Sequence, residues 1–201
     1  RLLDAMHTAG MPGVFAQVRD GSRTWNLAAG VADVDTGRPV RAHFQHRVGS
    51  IEKTFVATTI LQLVGEHRVS LEAPIGRYLP DVLPGPLSRQ VTVRMLLNHT
   101  SGLADYEDLL LSGDQAIEQL QFRTFTPREL IAIGLSRPPT NAPGEGWSYS
   151  NTNYIIAGLL IERLTGRPYA EEITRRILRP LGLRHTSFPG TDPYIRGPHM
   201  A

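Results

Sequence analysis

"RVGSIEKTF", residues 47–55, sets a serine, Ser50, three residues ahead of a lysine, Lys53. The apolar residues that follow, Phe55, Val56, Ile60, Leu61, Leu63 and Val64, recur at helical spacing as far as Gly65. Lys53 is the only lysine in the chain, and the other basic residues are all arginine. A serine hydroxyl is a weak nucleophile until a neighbouring base takes its proton. Arginine does not deprotonate in proteins, whereas lysine can where burial or nearby positive charge disfavours the ammonium. Residues three apart on a helix share a face, and a helix N-terminus favours developing negative charge. A plainer reading also fits, with Ser50 as an N-cap and Lys53 as a solvated side chain. The lysine count weighs against it, because the one position that keeps lysine is the one where arginine fails chemically.

With 201 residues, 41% hydrophobic and 20% charged, the chain has the balance of a globular protein with one substantial core. The net charge is only +2 and the arginines are scattered, the densest group being Arg175, Arg176 and Arg179. A nucleic-acid interface needs a basic stripe or a known module, so no nucleic-acid partner is expected. There is no cysteine, which excludes disulfides, thiolate catalysis and cysteine-ligated zinc. His43 and His46 lack the carboxylate motif that would complete a zinc site and read as loop histidines. No metal or other cofactor is expected. No apolar run reaches the roughly 18 residues of a membrane span. The chain begins at Arg1 without a signal-like stretch, so any export signal is expected upstream. "NHT" at 98–100 matches a glycosylation acceptor, a string common by chance. There is no G-x-S-x-G elbow and no phosphate-binding glycine loop.

Residues 1–9 have helical spacing and stop at Gly10 and Pro12-Gly13. "GVFAQVRDG" (13–21) alternates and ends in Asp20-Gly21, a hairpin signal, with "TWNLAAGVADV" (24–34) as the return strand. Downstream, the pattern predicts a short helix within 91–103 capped by Thr92 and ending at Gly102. It predicts a second over 126–136 with a capping box at Thr126 and Glu129, and strongly apolar helices over 152–166 and 170–183. The proline-rich stretch 69–86 reads as loop. The chain divides into an α/β part, 1–49, and a mainly helical part, 50–201. An isolated hairpin is marginal, and no closing element follows residue 185, so further strands are expected beyond this sequence.

A second candidate element is "WSYSN" (147–151), in a Pro/Gly-rich loop just ahead of an apolar helix. Such loops commonly display functional side chains. Tyr149 can relay a proton where a cation stands close, and Lys53 would be that cation. Asn151 can orient a substrate carbonyl or hold the lysine; it can equally cap the helix that follows, just as Tyr149 can simply pack. Asp105 and Tyr106 either border the same cleft or belong to a solvated loop.

S-x-x-K at Ser50–Lys53, followed about a hundred residues later by Y-x-N at Tyr149–Asn151, resembles the penicillin-recognising serine hydrolases, the serine β-lactamases and penicillin-binding proteins. "FQHRVGSIEKTF", "LLNHTSGLADY", "NAPGEGWSYSNTNYIIAGLLIERLTG" and "ILRPLGLRHTSF" extend the likeness over essentially the whole chain, in the branch of class C β-lactamases, D-alanyl-D-alanine carboxypeptidases and related esterases. The resemblance implies an α+β fold of the β-lactamase/penicillin-binding-protein type, with an antiparallel sheet flanked by helices and an all-helical region. It implies an acyl-enzyme on Ser50, proton transfer shared by Lys53 and Tyr149, and substrate binding by Asn151. The Ser50 N–H would be half of an oxyanion hole. The substrates implied are small molecules or peptides: a D-Ala-D-Ala peptide, a β-lactam or an ester. An extracellular or periplasmic location follows from the same likeness, and oligomeric state is left open. The family's third motif, K/H-T/S-G on a central strand, is not found; neither "HTS", at 99–101 or 185–187, fits it. The chain therefore reads as the first portion of such a domain, with a binding or sensor role or an inactive fragment as the alternatives to an enzyme.

Overall fold

The computed structural model describes residues 1–113 and 116–200, which form two compact units. The first contains α1 (Leu2–Thr8), β1 (Gly13–Asp20), β2 (Arg23–Asp33) and β3 (Arg38–Pro39), in an antiparallel sheet of order β1-β2-β3. The hairpin forms where Asp20-Gly21 predicts it, with Asp20 opposite Arg23 and Gly13 opposite Gly30. Gly30 cannot be replaced easily. It has a left-handed φ of 81°, and a Cβ there would lie 2.3 Å from the Pro12 carbonyl oxygen. The third strand, two residues long and offset by an irregularity at Val31/Asp33, is too short to leave a period in the sequence.

The segment from Pro189 onward belongs to this first unit, not to the helical part in which a division at 49/50 leaves it. Long-range backbone pairing draws it there. The Gln45 N–H donates to the Pro198 carbonyl (2.8 Å), and Arg38 and Arg47 donate to the His199 and Pro193 carbonyls.

The second unit, Gly49–Phe188, is helical. A 3₁₀ turn at Gly49–Ile51 leads into α2 (Glu52–Gly65), followed by α3 (Gly85–Gln90), α4 (Val93–Leu97), α5 (Glu107–Leu110) and α6 (Ala116–Leu120). Then come α7 (Pro127–Leu135), α8 (Asn151–Thr165) and α9 (Tyr169–Ile173), the last running into a π-helical turn at Thr174–Leu178. Local chemistry sets several ends. Thr92 accepts from the Met95 N–H, Thr126 and Glu129 form the reciprocal capping box, and Gly166 closes α8 with φ 70°. Two elements differ from the sequence pattern. α4 stops at Leu97, because His99 takes a left-handed φ of 62° well before Gly102. The prolines of 69–86 flank a 3₁₀ turn at Ile75–Arg77 and open α3, where a loop is expected.

α8 is the central helix and packs against α2, α4, α7 and α9. Ile156, Leu160 and Ile161 are fully buried with Ile60, Leu63, Ile75, Leu96 and Ile173. Each such side chain contributes about 1.5–3 kcal/mol relative to exposure. α7 comes close because Gly134 has no side chain; a Cβ there would stand 2.4 Å from Thr152 Oγ1. The first turn of α8 is polar yet buried, so its groups need partners. Ser150 and Thr152 both donate to the Ala104 carbonyl, and Asn153 Oδ1 accepts from Ser101. These bonds clamp the loop 99–105 against the start of α8.

At the other side of the core, Glu172 is 1% exposed and takes hydrogen bonds from Arg175 (2.7 Å) and Arg176 (2.5 Å). Arg176 also reaches Glu66 at the end of α2. The bonds from Arg175, then Arg176, hold the Glu172 carboxyl down at about 2. A depressed carboxylate stabilises the fold above its unfolded value near 4.3 and loses that contribution as pH falls toward the folded value. Glu172→Gln should therefore cost about 3 kcal/mol at pH 7. In urea unfolding, the gap from the parent protein should narrow between pH 5 and pH 2.

Candidate active site

Ser50 lies in the 3₁₀ turn immediately ahead of α2 and does not cap that helix. Ile51 holds the cap position, with helical backbone angles and no side-chain cap bond. The exposed hydroxyl bonds instead to two side chains. Lys53 Nζ, one turn along, donates to Ser50 Oγ at 3.0 Å. Tyr149 Oη lies 2.6 Å from the same oxygen, 99 residues away in sequence. Lys53 also donates to Asn151 Oδ1 at 2.6 Å, and Tyr149 Oη donates to that oxygen at 3.4 Å. Asn151 likewise does not cap α8, whose N-cap is Ser150. The four residues selected in the sequence thus form one connected network.

Its proton directions follow from donor and acceptor chemistry. The Asn151 amide nitrogen donates to Asp105 Oδ2 at 2.9 Å. An ionised carboxylate only accepts, so the amide oxygen must face Lys53. With the ammonium donating to Ser50 Oγ, the hydroxyl proton of Ser50 is directed at Tyr149 Oη. The Lys53 ammonium also lies 5.1 Å from the Tyr149 ring centroid and 5.6 Å from that of Tyr154, within reach of cation–π attraction.

Asp105 and His99 complete the surroundings, and neither is assigned a role in the sequence. Asp105 is weighed there only as a border of the cleft, and His99 only as an ill-fitting third motif. His99 stacks on Tyr149 with centroids 4.5 Å apart at 28°, and its Nδ1 accepts the Ser150 N–H at 3.1 Å. Burial, then the Lys53 charge, pushes the His99 imidazole down from its ordinary value, with Asp105 opposing. The sequence signal for both was the "HTSGLAD" string itself, a turn-rich loop with a carboxylate and no helical or strand period. His43 and His46, by contrast, pack edge-on against Phe44 and Phe15. Among the described residues no cluster suits a metal ion.

Ser50 and Lys53 line a cavity of about 440 Å³, a size suited to a small ligand. Its walls include Phe125, Leu130, Ile155 and Leu159, and three carboxylates, Glu52, Glu107 and Glu162. Among the described residues none of these three carboxylates is in an ion pair, and Lys53 is the one cation in the lining. Burial, then Asp105, raises Glu107 above the usual carboxylate range. Burial, then Glu107, pushes the neighbouring Tyr106 hydroxyl up to about 12. A carbonyl carbon brought to Ser50 Oγ in this cavity would meet a nucleophile, two groups able to carry its proton and an amide able to orient the substrate.

The chain is similar to known proteins. A D-stereospecific amidohydrolase from Streptomyces sp. superposes with a TM-score of 0.84 at 40% identity, over 94% of this chain and 55% of that one. The octameric penicillin-binding protein homologue from Pyrococcus abyssi gives a TM-score of 0.69 at 26% identity, over 90% of this chain and 41% of that one. Esterase EstB of Burkholderia gladioli is 34% identical over 188 residues, 87% of this chain and 46% of its own length. The chain thus spans about half the length of these relatives. The family model described as Beta-lactamase matches residues 1–199, and the chain belongs to that family, whose relatives include penicillin-binding-protein-like, esterase and amidohydrolase enzymes.

Proposed function

We propose that the protein is a serine hydrolase working through an acyl-enzyme on Ser50. The observation that carries this reading is the bonded set of Lys53 Nζ, Ser50 Oγ and Tyr149 Oη. Acylation starts from the form of the Lys53–Tyr149 pair that has already released one proton to solvent, as a free amine or a phenolate. Ser50 Oγ bonds to the carbonyl carbon of an amide or ester while its proton passes to that pair. The tetrahedral adduct then breaks its bond to the leaving group, which departs as an amine or alcohol with that proton. Water attacks the Ser50 ester, its proton returns through the same pair to Oγ, and the acid is released. The Ser50 N–H serves as one oxyanion donor, a type of contact worth about 10²–10³ in rate. The enzyme acts outside the cytoplasm in this reading, as the motif likeness implies.

The motifs favour D-Ala-D-Ala peptides or β-lactams as substrates, a carboxypeptidase-like activity. The cavity favours a second reading. A peptide's terminal carboxylate would enter a lining with three carboxylates and one cation, whereas a free ammonium would be welcomed. Amides or esters of amino acids with an unblocked amino group fit that charge. The similarity to a D-stereospecific amidohydrolase supports the D configuration.

A labelled penicillin or a p-nitrophenyl ester should acylate Ser50 in the full-length protein, read by mass spectrometry. Ser50→Ala should lose at least ~10³-fold in turnover. No adduct from either reagent would sink the acyl-enzyme reading.

Asp105→Ala removes the acceptor that orients the Asn151 amide. It should slow acylation by about 10–100-fold, the equivalent of one charge-assisted hydrogen bond. Stopped-flow release of p-nitrophenol measures it.

Glu107→Gln should raise KM about 10-fold for a D-amino acid amide and leave its N-acetylated counterpart unchanged. In the parent enzyme that KM should rise on the acid side, earlier than an ordinary glutamate would cause, because Glu107 takes up its proton at higher pH. Preferential turnover of N-acetyl-D-Ala-D-Ala, indifferent to Glu107→Gln, would favour the carboxypeptidase reading instead.

A further inference from the structure

We infer that His99 is a positioning residue for the Tyr149–Asn151 segment, and that its imidazole sets where Tyr149 Oη stands relative to Ser50 Oγ. The inference rests on the acyl-enzyme reading of this site. Tyr149 is 39% exposed and sits at the end of the Pro/Gly-rich loop 137–150, which has no helix or strand to hold it. Something else must fix its hydroxyl 2.6 Å from Ser50, since a displacement near 1 Å at a reacting group can cost about 100-fold in rate.

The loop is laid against residues 99–102 by backbone bonds. The Thr140 N–H donates to the Gly102 carbonyl, the Gly144 N–H to the Thr100 carbonyl and the Ser148 N–H to the His99 carbonyl, at 2.8–3.0 Å. The next alternate N–H, that of Ser150, donates to the His99 side chain instead, at Nδ1. His99 therefore bonds the backbone on both sides of Tyr149, with its carbonyl before and its ring after. The ring itself lies against the Tyr149 face, with Tyr154 tilted at 5.3 Å and Trp147 edge-on at 6.2 Å. Asn153 Nδ2 approaches the same Nδ1 at 3.4 Å.

Two further facts single out histidine. The residue holds a left-handed φ of 62°, a conformation that side-chain-bearing residues keep only when their surroundings require it. And the position uses a flat ring and a lone-pair acceptor at once. Phenylalanine supplies only the first, and asparagine only the second. Because Nδ1 accepts, the ring proton must sit on Nε2, and a second proton would abolish the bond to Ser150. The charged and titratable groups facing the ring are Lys53 from α2, Asp105 from the loop before α5, Tyr149 from its own loop and Tyr154 from α8. Burial and Lys53 favour the neutral ring, and Asp105 opposes them.

The test uses the full-length protein and two readouts from pH 5 to 9. One is the single-turnover rate of Ser50 acylation by a p-nitrophenyl ester. The other is hydrogen exchange at the Ser150 amide. His99→Asn keeps an acceptor near Nδ1 and tolerates the left-handed backbone. It should stay within about 10-fold of the parent rate, whereas His99→Phe should fall about 100-fold, the misplacement penalty above. The component of the acid limb that comes from protonation of the imidazole should disappear in His99→Asn, leaving only the component of the Lys53–Tyr149 pair, an effect that a merely structural residue would not produce. The Ser150 amide should be protected in the parent and in His99→Asn but not in His99→Phe. Parent-like rates and pH profiles in both variants, or losses matching only the fraction unfolded by circular dichroism, would overturn the inference. If the parent protein shows no acylation, the acyl-enzyme reading fails. In that case a Ser150 amide unprotected in the parent would overturn the inference as well, and protection lost in His99→Phe would sustain the positioning of the loop.

Discussion

The bond from Lys53 Nζ to Asn151 Oδ1 is the constraint around which the helical unit is organised. It joins the first turn of α2 to the first turn of α8, and a half-buried ammonium is stable there only because oxygen atoms and aromatic faces surround it. That requirement propagates outward. The amide oxygen can face Lys53 only if the amide nitrogen has an acceptor, which is Asp105. Asp105 can stand there only if the loop 99–105 lies against α8, and the buried hydroxyls of Ser150 and Thr152 hold it there through one shared carbonyl, that of Ala104. The apolar half of α8 then places Ile156, Ala157, Leu160 and Ile161 in the core, so the helix that carries the polar network is also a helix on which the core is built.

What was legible in the sequence was either local or chemically exclusive. The hairpin at Asp20-Gly21 and the capping box at Thr126 are set by residues within four positions of one another, and both occur as their patterns predict. Ser50 and Lys53 stood out because their chemistry admits few substitutes, and Tyr149 and Asn151 because the two short motifs reinforce each other. The opposite holds for Asp105 and His99. Nothing local says which carboxylate will face an asparagine amide 46 residues away, or that a histidine after a short helix will turn left-handed. The two-residue β3 and the return of the segment from Pro189 failed to register for the same reason. Each depends on backbone pairing with a partner that the local sequence does not name.

The site also separates tasks by distance from the reacting oxygen. Lys53 and Tyr149 touch Ser50 Oγ, Asn151 touches Lys53 and Tyr149, and Asp105 touches Asn151 and, away from the reacting oxygen, accepts the Glu107 N–H. Carboxylate charge is thereby kept one residue removed from the nucleophile, where it orients an amide without accepting the serine proton. The cavity wall follows a different rule, with three carboxylates that form no ion pair among the described residues on the surface a ligand would meet.

The solitary lysine has a spectroscopic consequence. Within these 201 residues Lys53 is the only side-chain amine. Biosynthetic labelling with lysine enriched in nitrogen-15 at Nζ would give one side-chain resonance from the whole sequence, requiring no assignment. That nucleus sits 3.0 Å from the serine oxygen and 2.6 Å from the asparagine oxygen. Its chemical shift would follow the protonation of the network directly, in the resting protein and with the serine occupied.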